Sequence, residues 1–115
     1  MDVRRKFGNV GEAMAARYLE SRGYRILARQ WKQSFGELDL VAEHDGVLVC
    51  IEVKSRKSDA YGNPEEAVNG AKLQKLFMLA EAYRTQAHWH GPIRVDVVAI
   101  LLSEPPVIRH LQAVA

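Results

Sequence analysis

One cysteine, no long apolar run and almost no net charge are what this 115-residue sequence has least to show for itself. A single cysteine, Cys50, excludes an intrachain disulfide and a cysteine-rich zinc site. Its place inside an apolar stretch reads as an inert core thiol rather than a nucleophile. No uninterrupted apolar run is long enough to span a bilayer. The opening Met-Asp-Val-Arg-Arg-Lys-Phe carries positive charge with no apolar region after it, so no secretory signal is read there. The expectation is a soluble cytoplasmic protein with no membrane partner. There is no internal repeat or low-complexity tract, and residues 1–115 read as one domain. A formal net charge of +2 is compatible with touching phosphates on one face but selects no function class. What is present is ordinary globular composition, 48% hydrophobic and 26% charged, which excludes intrinsic disorder.

Helical periodicity runs from Phe7 to Arg22 and closes at Gly23, a residue suited to the position just past a helix end. Val10, Met14 and Tyr18 form one apolar row, and Ala15, Ala16 and Leu19 another, headed by the carboxylate of Glu12. Asn9 as helix cap, with Glu12 completing a capping box, is one account of that misfit. Tyr24 to Lys32 then alternates as a strand, with Tyr24, Ile26 and Ala28 on one face. Ser34-Phe35-Gly36 turns into a second strand, Glu37–Glu43. Val47–Ser55 is apolar on both faces until its end, as a central strand is. A polar loop leads to Asn63-Pro64-Glu65-Glu66, a helix-start signature. That helix continues towards Ala87, with an interruption near Asn69-Gly70. Leu73, Leu76, Phe77 and Ala80 make its core stripe, with Lys72 and Lys75 off it. A strand at Ile93–Leu102, a stop at Glu104-Pro105-Pro106 and a short edge strand at Val107–Ala113 complete the chain. A helix on either side of a meander predicts an α/β fold of three layers, α/β/α.

The chemical oddity lies between Gly36 and Arg56. The Asp45-Gly46 pair predicts a tight hairpin, yet both of its strands carry charge inside apolar runs. Asp39 sits between Leu38 and Leu40, and Glu52 and Lys54 flank Val53. Strand alternation puts Leu48, Cys50, Glu52 and Lys54 on one face, and the hairpin brings Asp39 alongside. Glu37 shares the face of Asp39, and a first helix packed over that face would bring Glu12 to the same spot. Two unit charges about 4 Å apart repel by roughly 4 kcal/mol at an effective dielectric of 20. A hard divalent cation, Mg²⁺ or Mn²⁺, reverses that sign with oxygen ligands from Asp and Glu. Magnesium retains waters, which leaves room for a phosphate oxygen and an attacking water. Lys54 would orient or deprotonate that water, or offset charge in the transition state.

Asp39 followed by Glu52-Val53-Lys54 resembles the D…ExK signature of the restriction-endonuclease-like PD-(D/E)xK nucleases. The segment order is similar to their αβββαβ core, which implies a mixed central sheet. Five blocks in order, GxxGE at Gly8–Glu12, GELDL at Gly36–Leu40, EVKSR at Glu52–Arg56, YGNPEEAV at Tyr61–Val68 and RVDVVAI at Arg94–Ile100, resemble the YraN family of uncharacterised bacterial proteins, related to Holliday-junction resolvases. The resemblance implies Asp39 and Glu52 as metal ligands, the Val53 carbonyl as a third, Glu12 as a ligand from the first helix, and Lys54 as the catalytic lysine. Two departures stand. Leu38 replaces the proline that often precedes the catalytic acid. In the Q-xxx-Y motif that some relatives carry on the second helix, Gln74 is present but Met78 replaces the tyrosine.

Other residues have plainer readings beside functional ones. Arg56 and Lys57 follow the site directly and would hold DNA phosphates, or be merely solvated. Arg94 and Asp96 read as an internal pair. His88-Trp89-His90 has no ligand set to complete it and reads as a loop. Tyr61 and Trp31 would stack on bases or, more commonly, pack. Two functions follow. One is a Mg²⁺- or Mn²⁺-dependent nuclease acting on DNA, including branched DNA, with a homodimer matching two-fold substrates. The other is a nuclease-fold module that binds nucleic acid or protein without turnover.

Overall fold

A glycine in the left-handed region ends the first helix and starts the sheet. The computed structural model describes residues 3–57 and 69–115, with side chains from residue 9 onward. Helix α1 spans Val3–Ser21. Gly23 follows at φ 87°, which lets Arg22 and Tyr24 both donate their N–H to the Leu19 carbonyl at 3.0 Å. Because α1 begins at Val3, Asn9 lies inside the helix and does not cap it. The capping-box account of Glu12 is therefore overturned. The Asn9 carboxamide instead accepts a hydrogen bond from Gln30.

Strands β1 (Arg25–Gln33), β2 (Gly36–His44) and β3 (Val47–Arg56) form an antiparallel meander. The hairpin between the last two turns at Asp45 (φ 51°) and Gly46 (φ 79°), as an Asp-Gly pair dictates. In β1 the register shifts between Ile26 and Ala28. Ala28 consequently packs with the opposite cluster from Tyr24 and Ile26, which corrects the expected shared face.

Helix α2 spans Gly70–Ala87. Asn69 is extended, and its side chain accepts the Lys72 N–H at 3.0 Å, so α2 starts at the place where the sequence puts an interruption. The helix-start signature at Asn63–Glu66, and Tyr61 with it, lies outside the described residues. Strand β4 (Ile93–Leu101) pairs parallel to β3, a geometry that needs the long crossover α2 provides. Strand β5 (Val107–Leu111) pairs antiparallel at the edge. The result is a mixed α/β fold with one five-stranded mixed sheet in the order β1-β2-β3-β4-β5.

Alternation along β3 divides the core. Val49 and Ile51 join Ala15, Ala16 and Leu19 of α1, whereas Leu48 and Cys50 join Leu76, Leu79 and Ala80 of α2. Phe77, expected in the core stripe, is 42% exposed, and Leu79 takes its place. Exchanging Phe77 for Leu79 rotates the buried stripe by about 40° at 100° per residue. No helix among the described residues is long and apolar enough to cross a membrane.

Candidate functional site

The last polar residues of the central strand sit where one wall of the core opens. After Leu48 and Cys50, the next side chain on the α2 face of β3 is Glu52, only 6% exposed. Lys54 follows, half-buried, with its Nζ 3.5 Å from Glu52 Oε1. The β2–β3 ladder runs from His44–Val47 to Leu40–Ile51 and no further. One step on, the Val53 N–H donates to Asp39 Oδ2 at 2.8 Å. A side-chain carboxylate has replaced the backbone acceptor, which fixes Asp39 beside Glu52. The same step breaks the alternation of β2, since Leu38 packs on the α2 side and Leu40 on the α1 side.

Asp39 and Glu52 line a cavity of about 220 Å³ with Gly36, Glu37, Lys72, Lys75, Leu76 and Leu79. Burial pushes the Asp39 carboxyl up to about 7, and the charge of Glu52 adds to that. The hydrogen bond from Val53 works the other way, and Glu12 and Glu37 raise it further. Asp39 is thus a carboxyl whose surroundings disfavour its charged form.

Glu12 enters differently from the expected route. Helix α1 covers the Val49–Ile51 face, not the face of Glu52, so the first helix does not roof the carboxylates. Gly11 nonetheless brings α1 close to the end of β3: a Cβ there would stand 2.8 Å from Ser55 Oγ. Glu12 is half-buried beside this contact, with Gln30 Nε2 3.5 Å from its Oε2. Burial raises its pKa, Gln30 lowers it, and the charges of Glu37 and Glu52 raise it again. Glu12 therefore feels the site electrostatically without lining the cavity. Arg56, the last residue of β3, and Lys57 after it are exposed and do not line it either.

Lys72 and Lys75 were missed in the sequence as site residues. Lys72 Nζ lies 3.8 Å from Glu52 Oε1, and Lys75 lies over Gly36. The rotation of α2 that exposes Phe77 carries both lysines to the sheet-facing flank. Only the choice between Phe77 and Leu79 for the core could have revealed this, and both are apolar.

Among the described residues no group of three or more His, Cys, Asp or Glu side chains is placed to hold a metal ion. The donors that do face the cavity, Asp39 and Glu52 with Glu37, are all hard oxygen donors. That chemistry fits Mg²⁺ or Mn²⁺, because magnesium sites take one or two carboxylates and keep waters in the remaining positions.

The remaining singled-out residues have structural partners. Asp96 is fully buried and bonded to Arg94 at 2.8 Å, His110 at 2.7 Å and the Ala113 N–H at 2.9 Å. Cys50 is fully buried with its thiol pushed up to about 12, chiefly by burial. Trp31 packs edge-on against Tyr83, and Trp89 donates its indole N–H to the Pro92 carbonyl.

The family model described as Uncharacterised protein family UPF0102 matches residues 11–100. A UPF0102 protein of Renibacterium salmoninarum is 43% identical over 115 residues, covering 97% of this chain and 98% of that protein. A UPF0102 protein of an Arthrobacter species is 49% identical over 110 residues, covering 93% of each. One from Roseiflexus castenholzii is 46% identical over 114 residues, covering 94% of this chain and 91% of that protein. The resemblance to the YraN family read from the five sequence blocks agrees with these matches.

Proposed function

The chain belongs to the uncharacterised protein family UPF0102, and we propose that it is a metal-dependent nuclease that hydrolyses DNA phosphodiester bonds, including those of branched DNA. The observation that carries this reading is the pairing of Asp39 with Glu52 in one cavity, with the Lys54 ammonium 3.5 Å from Glu52. Asp39 and Glu52 would hold Mg²⁺ or Mn²⁺, with the Val53 carbonyl and Glu12 as further candidates. When bound, the cation supplies Lewis-acid polarisation of a phosphate oxygen and a more acidic bound water.

The chain's own residues have distinct tasks in this reading. The Val53 N–H fixes the orientation of the Asp39 carboxylate by holding Oδ2. Burial of Glu52 keeps its carboxylate in a poorly solvated setting where charge interactions are strong. Lys54 orients the attacking water and offsets negative charge on the phosphate as it develops. Arg56 and Lys57, at the strand end, hold flanking phosphates. The packing of α1 and α2 against alternate residues of β3 supports a three-layer, restriction-endonuclease-like arrangement as the frame. A homodimer, with the open edge of β5 as its candidate seam, would enlarge the DNA footprint in the cytoplasm.

A second reading is favoured by a specific observation: the described residues contain no ready three-ligand cluster. A module of this fold that binds nucleic acid or a protein without turnover needs none. The deciding experiment is a cleavage panel of linear duplex, single strand, flap and four-way junction with Mg²⁺ or Mn²⁺. Wild type is run beside Glu52→Ala and Lys54→Ala. Cleavage by wild type alone supports the nuclease, whereas binding without cleavage supports the module. Equal cleavage by all three proteins would sink the assignment.

A further inference from the structure

We propose that Lys72 and Lys75 of α2 are the phosphate-holding side of this cavity, and that they are released for that task only when a divalent cation occupies the carboxylates. The inference rests on the metal-site reading above and adds a substrate-contacting surface and an order of binding. Three carboxylates (Glu37, Asp39, Glu52) and two lysines (Lys72, Lys75) line the cavity, and Lys54 adds a third ammonium through its contact with Glu52. Without a cation their formal charges cancel. Glu52 then holds two ammonium groups on one oxygen, Lys54 at 3.5 Å and Lys72 at 3.8 Å from Oε1. Both distances exceed that of a good hydrogen bond, so these are loose electrostatic contacts. An anionic DNA phosphate has no net attraction to such a pocket.

A divalent cation on Asp39 and Glu52 changes the sum by two positive charges. Held by these carboxylates, it would repel the Lys72 ammonium, which stands 3.8 Å from Glu52 Oε1. Lys72, with 38% of its side chain exposed, has solvent on one side into which to swing. Lys75 already lies across the mouth at Gly36, where a Cβ on that glycine would stand 3.5 Å from its Nζ. The absence of a side chain at Gly36 is what leaves Lys75 this place, since the same Cβ would meet Lys75 Cε at 2.8 Å. The two lysines, three residues apart on one helix, are neighbours on its surface. They can therefore hold one phosphate or two successive ones as point charges.

The experiment measures anisotropy of a labelled duplex and four-way junction with Ca²⁺, with Mg²⁺ and with EDTA, across a salt series. Wild type is compared with Lys72→Gln, Lys75→Gln, the double variant and the double Lys→Arg variant. Melting with and without Mn²⁺ is measured for each protein. The expected result is cation-dependent DNA binding in wild type and a loss of roughly tenfold in affinity per lysine removed. The salt slope should fall by about one for each lysine removed. Arginine should restore binding, and the Mn²⁺ melting shift should persist in every variant. Unchanged affinity and salt slope in the double Gln variant, with the Mn²⁺ shift intact, would overturn this inference while leaving the metal reading standing. DNA binding that is equal in EDTA and in Ca²⁺ would overturn the order of binding. A wild type with no Mn²⁺ shift would overturn the metal reading itself, and this inference with it.

Discussion

Asp39 Oδ2 takes the Val53 N–H at 2.8 Å at the point where the β2–β3 backbone ladder has ended. One carboxylate thus does a backbone carbonyl's task while standing beside a second carboxylate, Glu52. The two roles oppose one another: the hydrogen bond favours the ionised form, and burial with the charge of Glu52 disfavours it more.

That conflict predicts a pH dependence with a definite sign. The folded-state pKa of Asp39 is raised from 3.8 to about 7. Between those values the metal-free folded protein binds more protons than the unfolded chain. Stability from this group is therefore full below about pH 4 and falls as pH rises towards 7. The loss is up to about 4 kcal/mol, at 1.36 kcal/mol per pKa unit. Urea denaturation in EDTA across the range from pH 4 to pH 8 measures it. Asp39→Asn, which keeps an acceptor for Val53, should lose much of the slope and be the more stable protein at pH 8. Asp39→Ala removes the charge as well but orphans the Val53 N–H, and should fall below the Asn variant by about 1–3 kcal/mol. Parallel pH curves for wild type and Asp39→Asn would refute the assignment.

The hairpin was legible in the sequence because its determinants are local. Asp45-Gly46 sets the turn, and alternation along β3 sets Glu52 and Lys54 on one face. Gly23, Asn69 and the Arg94–Asp96 pair are local in the same sense. What was illegible depended on rotation and register. The shift between Ile26 and Ala28 in β1 sends Ala28 to the other face, and no residue type there announces it. The rotation of α2 turns on whether Phe77 or Leu79 is buried, a tertiary choice that places Lys72 and Lys75 at the cavity. The approach of Glu12 hung on which face the first helix covers, and alternation alone does not say which helix covers which side of a sheet.

Gly11 tests how closely α1 must approach the site. A Cβ at that position would stand 2.8 Å from Ser55 Oγ and 3.0 Å from Ser55 Cβ, so either the Ser55 side chain or α1 must shift. Gly11→Ala should destabilise the protein by about 1–3 kcal/mol despite alanine's better helix propensity. Ser55→Gly in the same chain should recover part of that loss, giving a favourable coupling in a double-mutant cycle. Additive effects would show that the helix accommodates the methyl elsewhere.

Asp96 should separate stability from the site. Its buried carboxylate satisfies Arg94, His110 and the Ala113 N–H together. Asp96→Ala leaves the partly buried Arg94 guanidinium and the Ala113 N–H without their acceptor, a change that costs about 3 kcal/mol or more. Chemical denaturation should register that loss. At a temperature where the variant remains folded, its Mn²⁺ melting shift should equal that of wild type. A vanished shift would tie Asp96 to the metal site rather than to the core of the sheet.

Lys54 and Glu52 touch one another, so their roles in a reaction must be told apart by different readouts. If Glu52 is a metal ligand, Glu52→Gln should lose both the Mn²⁺ melting shift and cleavage. If Lys54 acts on the water or the phosphate, Lys54→Met should keep the shift. It should even bind the cation at a slightly lower concentration, because a competing positive charge 3.5 Å from Glu52 has gone. Cleavage in that variant should fall by about 10²–10³, mainly in kcat, as expected for a group that acts in the transition state. Loss of the melting shift in Lys54→Met as well would mean that the lysine organises Glu52 rather than acting on substrate. The same assay therefore distinguishes a catalytic lysine from a positioning one without assuming which cleavage substrate is natural.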